Sequence, residues 1–213
     1  MTSDEDRIRG IVASSPWLMR VLATVASSGL PDAWVGAGVL RDLVWGQLYG
    51  SGFTPAQVHD VDVVFFDPRD QSRGRDDQAT EQLRRACPGV PWEAKNQAAV
   101  HTWYHAKFGG EPVAALDSIA DAVATWPETA TAVAVRLPAG EAPAAAGEAP
   151  AAGGAAPEQD ARIEVCAPLG LADLLGGVWR RNPRRVSLDV SLARLARHQP
   201  ARRWPGVSVI PPS

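Results

Sequence analysis

The spacing of apolar residues predicts that the chain begins with two short helices. From residue 4 to residue 28, apolar side chains recur every three or four positions, which is the period of one helix face. The pattern is interrupted at Ser14, Ser15 and Pro16. Because serine caps helices and proline suits their first turn, the second helix is expected to begin at Ser15 and Pro16.

A strand, a glycine turn and a helix are predicted next. Residues 33–35 form a short apolar run that leads into Gly36, Ala37 and Gly38, and residues 39–48 resume helical spacing. A glycine-rich connection between a strand and a helix is typical of a tight turn, and it also lets the backbone approach a bound phosphate. Both interpretations of this turn are open from the pattern alone.

The following apolar run predicts a buried central strand. Residues 58–66 read VHDVDVVFF, and β-branched and aromatic residues dominate strands that are covered on both faces. Side chains two apart on a strand point to the same side, so Asp60 and Asp62 are expected to lie together. Their carboxylates suit one or two Mg²⁺ ions, although a strand end exposed to solvent explains a bare DxD equally simply.

Shorter elements are predicted in the second half of the chain. Helices are expected at 81–86, around 100–108, at 118–125 and at 169–175. Strands are expected at 92–97, 129–137 and 162–167, the last two antiparallel. A final amphipathic helix is predicted with Leu188, Leu192 and Leu195 on one face.

The segment 138–160 is predicted to be a flexible hairpin insertion in a single domain that spans 1–213. It contains the sequence AGEAPAA twice in tandem, and small residues with proline cannot bury a useful core. A linker that binds a partner is the less favoured alternative, because insertions at surface hairpins are commonly tolerated.

Composition narrows the class of protein. With 46% hydrophobic and 21% charged residues, the chain is expected to be globular, and no apolar stretch is long enough to span a bilayer. The acidic beginning MTSDED shows no targeting pattern, and Cys87 and Cys166 lack the spacing of a zinc site. A cytoplasmic protein without a membrane partner is therefore expected.

Basic residues are concentrated near the end of the chain. Between Arg180 and Arg203 there are eight arginines and one acidic residue, although the whole chain carries a net charge of −3. This cationic segment suggests an RNA-binding module as one alternative function. The acidic remainder of the surface argues against a general affinity for nucleic acid.

The order of these motifs resembles a known superfamily. The segment GAGVLRD at 36–42 followed by DVD at 60–62 resembles the head of tRNA CCA-adding enzymes and bacterial poly(A) polymerases, in the polymerase-β-like nucleotidyltransferase superfamily. A bacterial nucleotidyltransferase-like family of unassigned substrate is similar over about residues 10–210. Its further motifs correspond to LVW at 43–45, KNQ at 95–97 and PLGLADL at 168–174.

The resemblance implies the fold and the chemistry. The fold would be an α/β (α+β) nucleotidyltransferase fold with a mixed, mostly antiparallel sheet flanked by helices. The activity would be Mg²⁺-dependent transfer of a nucleoside monophosphate from a nucleoside triphosphate to an unknown acceptor, which is a small molecule, a protein or RNA. A catalytically inactive member that binds a nucleotide or a partner is the main alternative.

The resemblance also assigns roles to residues. Asp60 and Asp62 would bind Mg²⁺ and act in catalysis, and Glu93 would be the third carboxylate, with Asp67 as the competing candidate. The residues implied to bind the nucleotide are Gly36, Ala37, Gly38, Arg41, Lys95, Asn96 and Gln97. The sequence departs from the superfamily at Ala37, where glycine or serine is usual. For Arg41, a surface ion pair with Asp42 is an equally simple explanation.

Overall fold

The computed structural model describes residues 2–108, 113–138, 162–184 and 186–211. In this part of the chain a five-stranded sheet has the order β3-β2-β1-β4-β5. Its strands are β1 (Trp34–Gly36), β2 (Val61–Phe65), β3 (Trp92–Asn96), β4 (Ala134–Arg136) and β5 (Glu164–Cys166). β2 and β3 are parallel and the other three pairs are antiparallel, which confirms the predicted mixed, mostly antiparallel sheet.

Helices surround this sheet, as predicted. They are α1 (Asp4–Ala13), α2 (Pro16–Ala26), α3 (Gly38–Tyr49), α4 (Arg73–Ala86), α5 (Val100–Phe108), α6 (Ile119–Val123), α7 (Ala172–Leu175), α8 (Leu188–His198) and α9 (Pro200–Arg203). A second, parallel pair joins β6 (Val178–Trp179) to β7 (Ser208–Val209). Most of the predicted insertion at 138–160 lies outside the described residues.

Helix caps explain where the first two helices begin. The hydroxyl of Ser3 accepts a hydrogen bond from the amide of Asp6, whose carboxylate bonds back to Ser3. The hydroxyl of Ser15 accepts from the amide of Leu18, and Pro16 occupies the first helical position. The serine and proline pattern therefore predicted the beginning of α2 correctly.

The sheet has two differently covered faces. One face carries Val35, Val63 and Phe65, which pack with α1, α2, α3 and α4 in the main core. The other face carries Trp34 and Val64, which form a smaller cluster with Ile119 and Val123 of α6. This second face also carries the polar residues at the end of the sheet where β2 and β3 begin.

Helix α4 covers the edge strand β3. The amide of Ala94 donates to the hydroxyl of Thr80 at 3.0 Å, and the amide of Asn96 donates to the carboxylate of Asp76 at 2.8 Å. These side chains take the place of a neighbouring strand, so the edge is closed to pairing with another chain. β3 is thus held firmly beside β2.

Several predicted limits and one predicted helix face differ from the structure; β2, for example, spans Val61–Phe65 rather than 58–66. Helix α4 begins at Arg73 rather than near 81, because its first turns are polar and show no apolar period. Residues 129–131 form a 3₁₀ turn before β4, which makes the strand shorter than predicted. In α8, Leu188 and Leu192 are exposed and Ser191 is buried, because a polar contact of Arg194 decides which side faces the protein.

Candidate active site

A row of three residues crosses the sheet at the predicted DxD motif. Gly36 of β1 lies directly opposite Asp62 of β2, and Asp62 lies beside Glu93 of β3. Residues paired in this way present their side chains on the same face of a sheet. The register therefore brings Asp62 and Glu93 together, although the chain separates them by a complete helix.

The carboxylate of Asp62 lies in surroundings that oppose its negative charge. Burial and the negative charges of Asp60 and Glu93 together raise the pKa of Asp62 to about 7. Asp60 itself lies just before β2 and is exposed. The pair is therefore close together, as predicted, but only Asp62 is within the strand.

Glu93 and Asp67 occupy opposite ends of the sheet. Asp67 follows β2 and is buried, and its carboxylate contacts Arg69 at 3.3 Å and Arg75 at 3.5 Å. Burial acts to raise the pKa of Asp67. The hydrogen bonds that its carboxylate accepts from Arg69 and the positive charges of both arginines outweigh burial, so the pKa is lowered overall. Glu93 is next to Asp62, so the geometry favours Glu93 as the third carboxylate.

The two glycines of the turn have different surroundings. A Cβ atom at Gly36 would lie 2.5 and 2.6 Å from two ring atoms of Trp126 and 2.9 Å from the carbonyl oxygen of Val133. Gly36 therefore makes room for the indole of Trp126. At Gly38 the nearest atoms are the Arg41 guanidinium and the Asp60 carboxylate, both at 3.8 Å, so this position faces the site.

Ala37 has a backbone conformation that favours glycine. Its φ is 56° and its ψ is −122°, and its amide donates to the carbonyl of Val133 at 3.2 Å. This is the conformation of the second residue of a type II′ turn, which side chains other than glycine adopt at a cost. The departure from the superfamily pattern at this residue is therefore accompanied by backbone strain.

Ala37→Gly is expected to stabilise the protein by about 1 kcal/mol, because relief of strain exceeds the entropy that glycine adds to the unfolded chain. The melting temperature should rise by about 2 to 4 °C. Ala193→Gly, an exposed site within helix α8, is the matched control and should lower it. A lower melting temperature for Ala37→Gly would show that the turn is not strained.

Arg41 forms the ion pair with Asp42 that was considered from sequence, but the pair is buried rather than on the surface. Its guanidinium donates to one carboxylate oxygen of Asp42 at 2.9 and 2.6 Å and lies over the rings of Trp179 and Trp204. The other carboxylate oxygen of Asp42 accepts from Arg203 at 2.7 Å. These contacts fix Arg41 beside Gly38.

A second arginine approaches the carboxylates from helix α8. Arg194 donates through Nε and Nη2 to the two carboxylate oxygens of Glu128, at 2.7 and 2.9 Å. Burial lowers the pKa of Arg194, but the bond to Glu128 and the charges of Glu128, Asp62 and Asp60 raise it overall. Arg194 is thus close enough to Asp62 for their charges to interact.

The KNQ segment has a mainly structural role. The side chain of Asn96 is fully buried; it donates to the carbonyls of Asp67 and Asp70 and accepts from two backbone amides. Gln97 is also buried and donates to the carbonyl of Lys95 at 3.3 Å. The amide of Asn96 therefore has no group left for a nucleotide, in contrast to the sequence prediction.

Lys95 remains beside the site and lines an open groove. Its ammonium group lies 3.6 Å from the carboxylate of Glu93 and 4.0 Å from that of Asp76. The groove has a volume of about 560 Å³ and runs between α4 and the beginnings of β2 and β3. Its lining includes Asp60, Glu93 and Lys95, so a second molecule has access to the carboxylates.

Comparisons with known proteins identify the family to which the chain belongs. A model of the nucleotidyltransferase family matches residues 23–209. The chain belongs to the nucleotidyltransferase family. A solved NMR structure, described as revealing a CCA-adding enzyme head domain, is similar to this chain with a TM-score of 0.71 and 26% sequence identity. The similarity covers 95% of this chain and 94% of that one, and no curated protein gives a significant match.

Membership of the nucleotidyltransferase family confirms the predicted family and fold. It also implies transferase chemistry with a nucleoside triphosphate as substrate. Within the described residues no helix is both long and apolar enough to cross a membrane. No group of three or more His, Cys, Asp or Glu side chains in the same residues is arranged to hold a metal ion.

Three residues of this nucleotidyltransferase site were not predicted from the sequence. They are Trp126, Glu128 and Arg194. No pattern singled out Trp126, and Arg194 was only one of the eight arginines near the end of the chain. Glu128 lies between the predicted helix at 118–125 and the predicted strand at 129–137, and no local pattern singled it out. Its burial and its partner depend on tertiary contacts alone.

Proposed function

We propose that this nucleotidyltransferase moves a nucleoside monophosphate from a nucleoside triphosphate to a hydroxyl group of an acceptor. The observation that carries the proposal is the adjacent position of Asp62 and Glu93 beside Asp60, in surroundings that raise the pKa of Asp62 to about 7. Groups with such perturbed pKa values are typical of active sites in clefts.

The residues present fit Mg²⁺ as a cofactor. Asp60 and Asp62 offer hard carboxylate oxygens, and the repulsion around Asp62 is the kind of charge that a cation offsets. Proteins commonly hold Mg²⁺ through one or two carboxylates together with phosphates of the substrate. When bound, Mg²⁺ would offset the charge of the phosphates and support in-line displacement at phosphorus.

The residues of the chain then have the following roles in transfer. The acceptor approaches through the groove beside Glu93, which takes the proton of the attacking hydroxyl. The new bond forms between the acceptor oxygen and the α-phosphorus. The bond from the α-phosphorus to the bridging oxygen of the β-phosphate breaks, and pyrophosphate leaves with that electron pair. In this proposal Gly38 and Arg41, which lie side by side, contact phosphate oxygens of the substrate.

Release of pyrophosphate tests this proposal. Purified protein is incubated with Mg²⁺, each nucleoside triphosphate and a set of candidate acceptors, and labelling of the acceptor or of the protein is measured in parallel. The activity should be lost in the variant that combines Asp60→Ala with Asp62→Ala. Unchanged activity in this variant would refute the proposal, and binding of nucleotide without release would identify an inactive member of the family.

A matched pair of variants tests the third carboxylate. Glu93→Gln is expected to lower the rate of pyrophosphate release by about 100-fold or more, the usual contribution of a general base. Asp67→Asn removes the competing carboxylate, which lies at the other end of the sheet, so the rate should change by less than about 3-fold. The reverse result would assign the role to Asp67.

A further inference from the structure

The ion pair between Arg194 and Glu128 lies on the side of Asp62 that is opposite to Glu93. Glu128 directly precedes the 3₁₀ turn Thr129–Thr131 that leads into β4, and β4 neighbours β1. Glu93 lies on β3, at the other side of β2. In the order of the sheet, β3 with Glu93 lies on one side of β2, and β4, to which Glu128 leads, lies on the other side.

The contacts of Glu128 fix the guanidinium of Arg194. Glu128 is fully buried, and Thr131 donates to its carboxylate at 3.2 Å. The two parallel hydrogen bonds from Arg194 reach both carboxylate oxygens of Glu128, and this bidentate contact determines the orientation of the guanidinium plane. Among the described residues Nη1 of Arg194 donates no hydrogen bond, and a quarter of the Arg194 side chain remains exposed.

Arg194 and Arg41 surround the same space from two elements. The positive charges of both arginines oppose the overall rise in the pKa of Asp62. Both also act on His198 of helix α8, and burial together with these arginines lowers the pKa of His198 to about 3. His198 is therefore neutral near pH 7, and the positive charge in this region is carried by guanidinium groups. Guanidinium forks suit phosphate oxygens better than a single ammonium does.

We propose that Arg194 binds the β- and γ-phosphates of the substrate, which become the leaving pyrophosphate, and that Glu128 is its positioning residue. This inference rests on the proposed function. In an in-line displacement the attacking and leaving oxygens lie on opposite sides of the phosphorus. The acceptor is activated on the Glu93 side, so the pyrophosphate leaves on the side where Glu128 holds Arg194.

Binding of inorganic pyrophosphate with Mg²⁺, measured by calorimetry, tests this assignment without requiring the identity of the base. Arg194→Ala is expected to weaken this binding by about 10- to 100-fold. Arg197→Ala removes the same charge from an exposed site of the same helix and should change it by less than about 2-fold. Binding of nucleoside monophosphates, which have no β- or γ-phosphate, should be the same in all three proteins.

Two further variants keep the test informative if Arg194→Ala is unstable. Arg194→Gln retains a hydrogen-bond donor for Glu128 and loses the charge, so it should also bind pyrophosphate weakly. Glu128→Gln should weaken pyrophosphate binding and leave monophosphate binding unchanged. Equal pyrophosphate affinity in the parent and both Arg194 variants would overturn the assignment while the proposed function stands. A parent protein that binds neither pyrophosphate nor any triphosphate would overturn both.

Discussion

Asp62→Asn is expected to melt at a higher temperature than the parent protein at about pH 8 in the absence of divalent cations, although it loses nucleotidyl transfer. The pKa of Asp62 is about 7 in the folded protein, against 3.8 for an ordinary aspartate. An aspartate with a raised pKa favours folding when protonated and opposes folding once ionised. The parent should therefore lose stability as the pH rises from about 4 through about 7, and the neutral asparagine should not.

The size of this effect follows from the difference in pKa. Each unit of difference between the pKa values of the folded and unfolded states corresponds to about 1.4 kcal/mol. The gain in stability from Asp62→Asn at about pH 8 therefore has an upper limit of about 4 kcal/mol. For a chain of this length, that corresponds to a rise of up to about 8 to 16 °C in melting temperature. The gain should be much smaller at about pH 4, where the parent aspartate is largely protonated.

Thermal melts in chelator and in Mg²⁺ check this prediction. Mg²⁺ should raise the melting temperature of the parent and have little effect on Asp62→Asn, because the variant has lost a metal ligand. Transfer should fall by about 1000-fold, since metal-assisted stabilisation of charge contributes several kcal/mol. A variant that melts below the parent at both pH values would show that the charge of Asp62 is already compensated in the protein alone.

The two glycines of the turn are expected to respond to alanine in opposite ways. Gly36→Ala places a methyl group 2.5 Å from the Trp126 ring and 2.9 Å from a backbone carbonyl of the neighbouring strand segment. Because that carbonyl cannot move without disturbing the turn, the loss should be about 3 kcal/mol. The melting temperature should fall by about 6 to 12 °C.

Gly38→Ala is the matched control for stability and the test for binding. The added methyl group meets only the guanidinium of Arg41 and the carboxylate of Asp60, each at 3.8 Å, and alanine is the better helix former. The melting temperature should be unchanged or higher. Nucleotide affinity should fall by about 10-fold, since the methyl group enters the space assigned to phosphate.

Melting curves and nucleotide titrations of both alanine variants separate the two roles. If Gly36→Ala melts like the parent, Trp126 does not require the space above that glycine. If Gly38→Ala binds nucleotide like the parent, the first turn of α3 is not where the phosphates lie.

Local features of this protein were predictable because they depend on neighbouring residues. The cap at Ser15, the sequence of strand, glycine turn and helix, and the apolar strand that contains Asp62 all rely on propensities and periods within a few positions. The resemblance of the GAG and DVD motifs to nucleotidyltransferase heads was likewise present in short segments. The comparisons confirm the family and the fold to which those segments pointed.

Sequence patterns failed where polar contacts decide burial. Helix α8 was predicted to be amphipathic with three leucines on one face, yet only Leu195 of these packs against the core, Leu192 is exposed and Ser191 is buried. The reason is that the bond from Arg194 to the buried Glu128 outweighs the apolar stripe. Leaving that carboxylate without a partner would cost more than exposing part of a leucine.

The sequence by itself determined that Gly36, Gly38, Asp60 and Asp62 come in the order of a nucleotidyltransferase head. Only the tertiary structure decided which residues join them. Strand register places Glu93 beside Asp62, and a contact across 66 positions joins Arg194 to Glu128. Such pairings depend on how distant segments pack against each other, which no local propensity or period encodes.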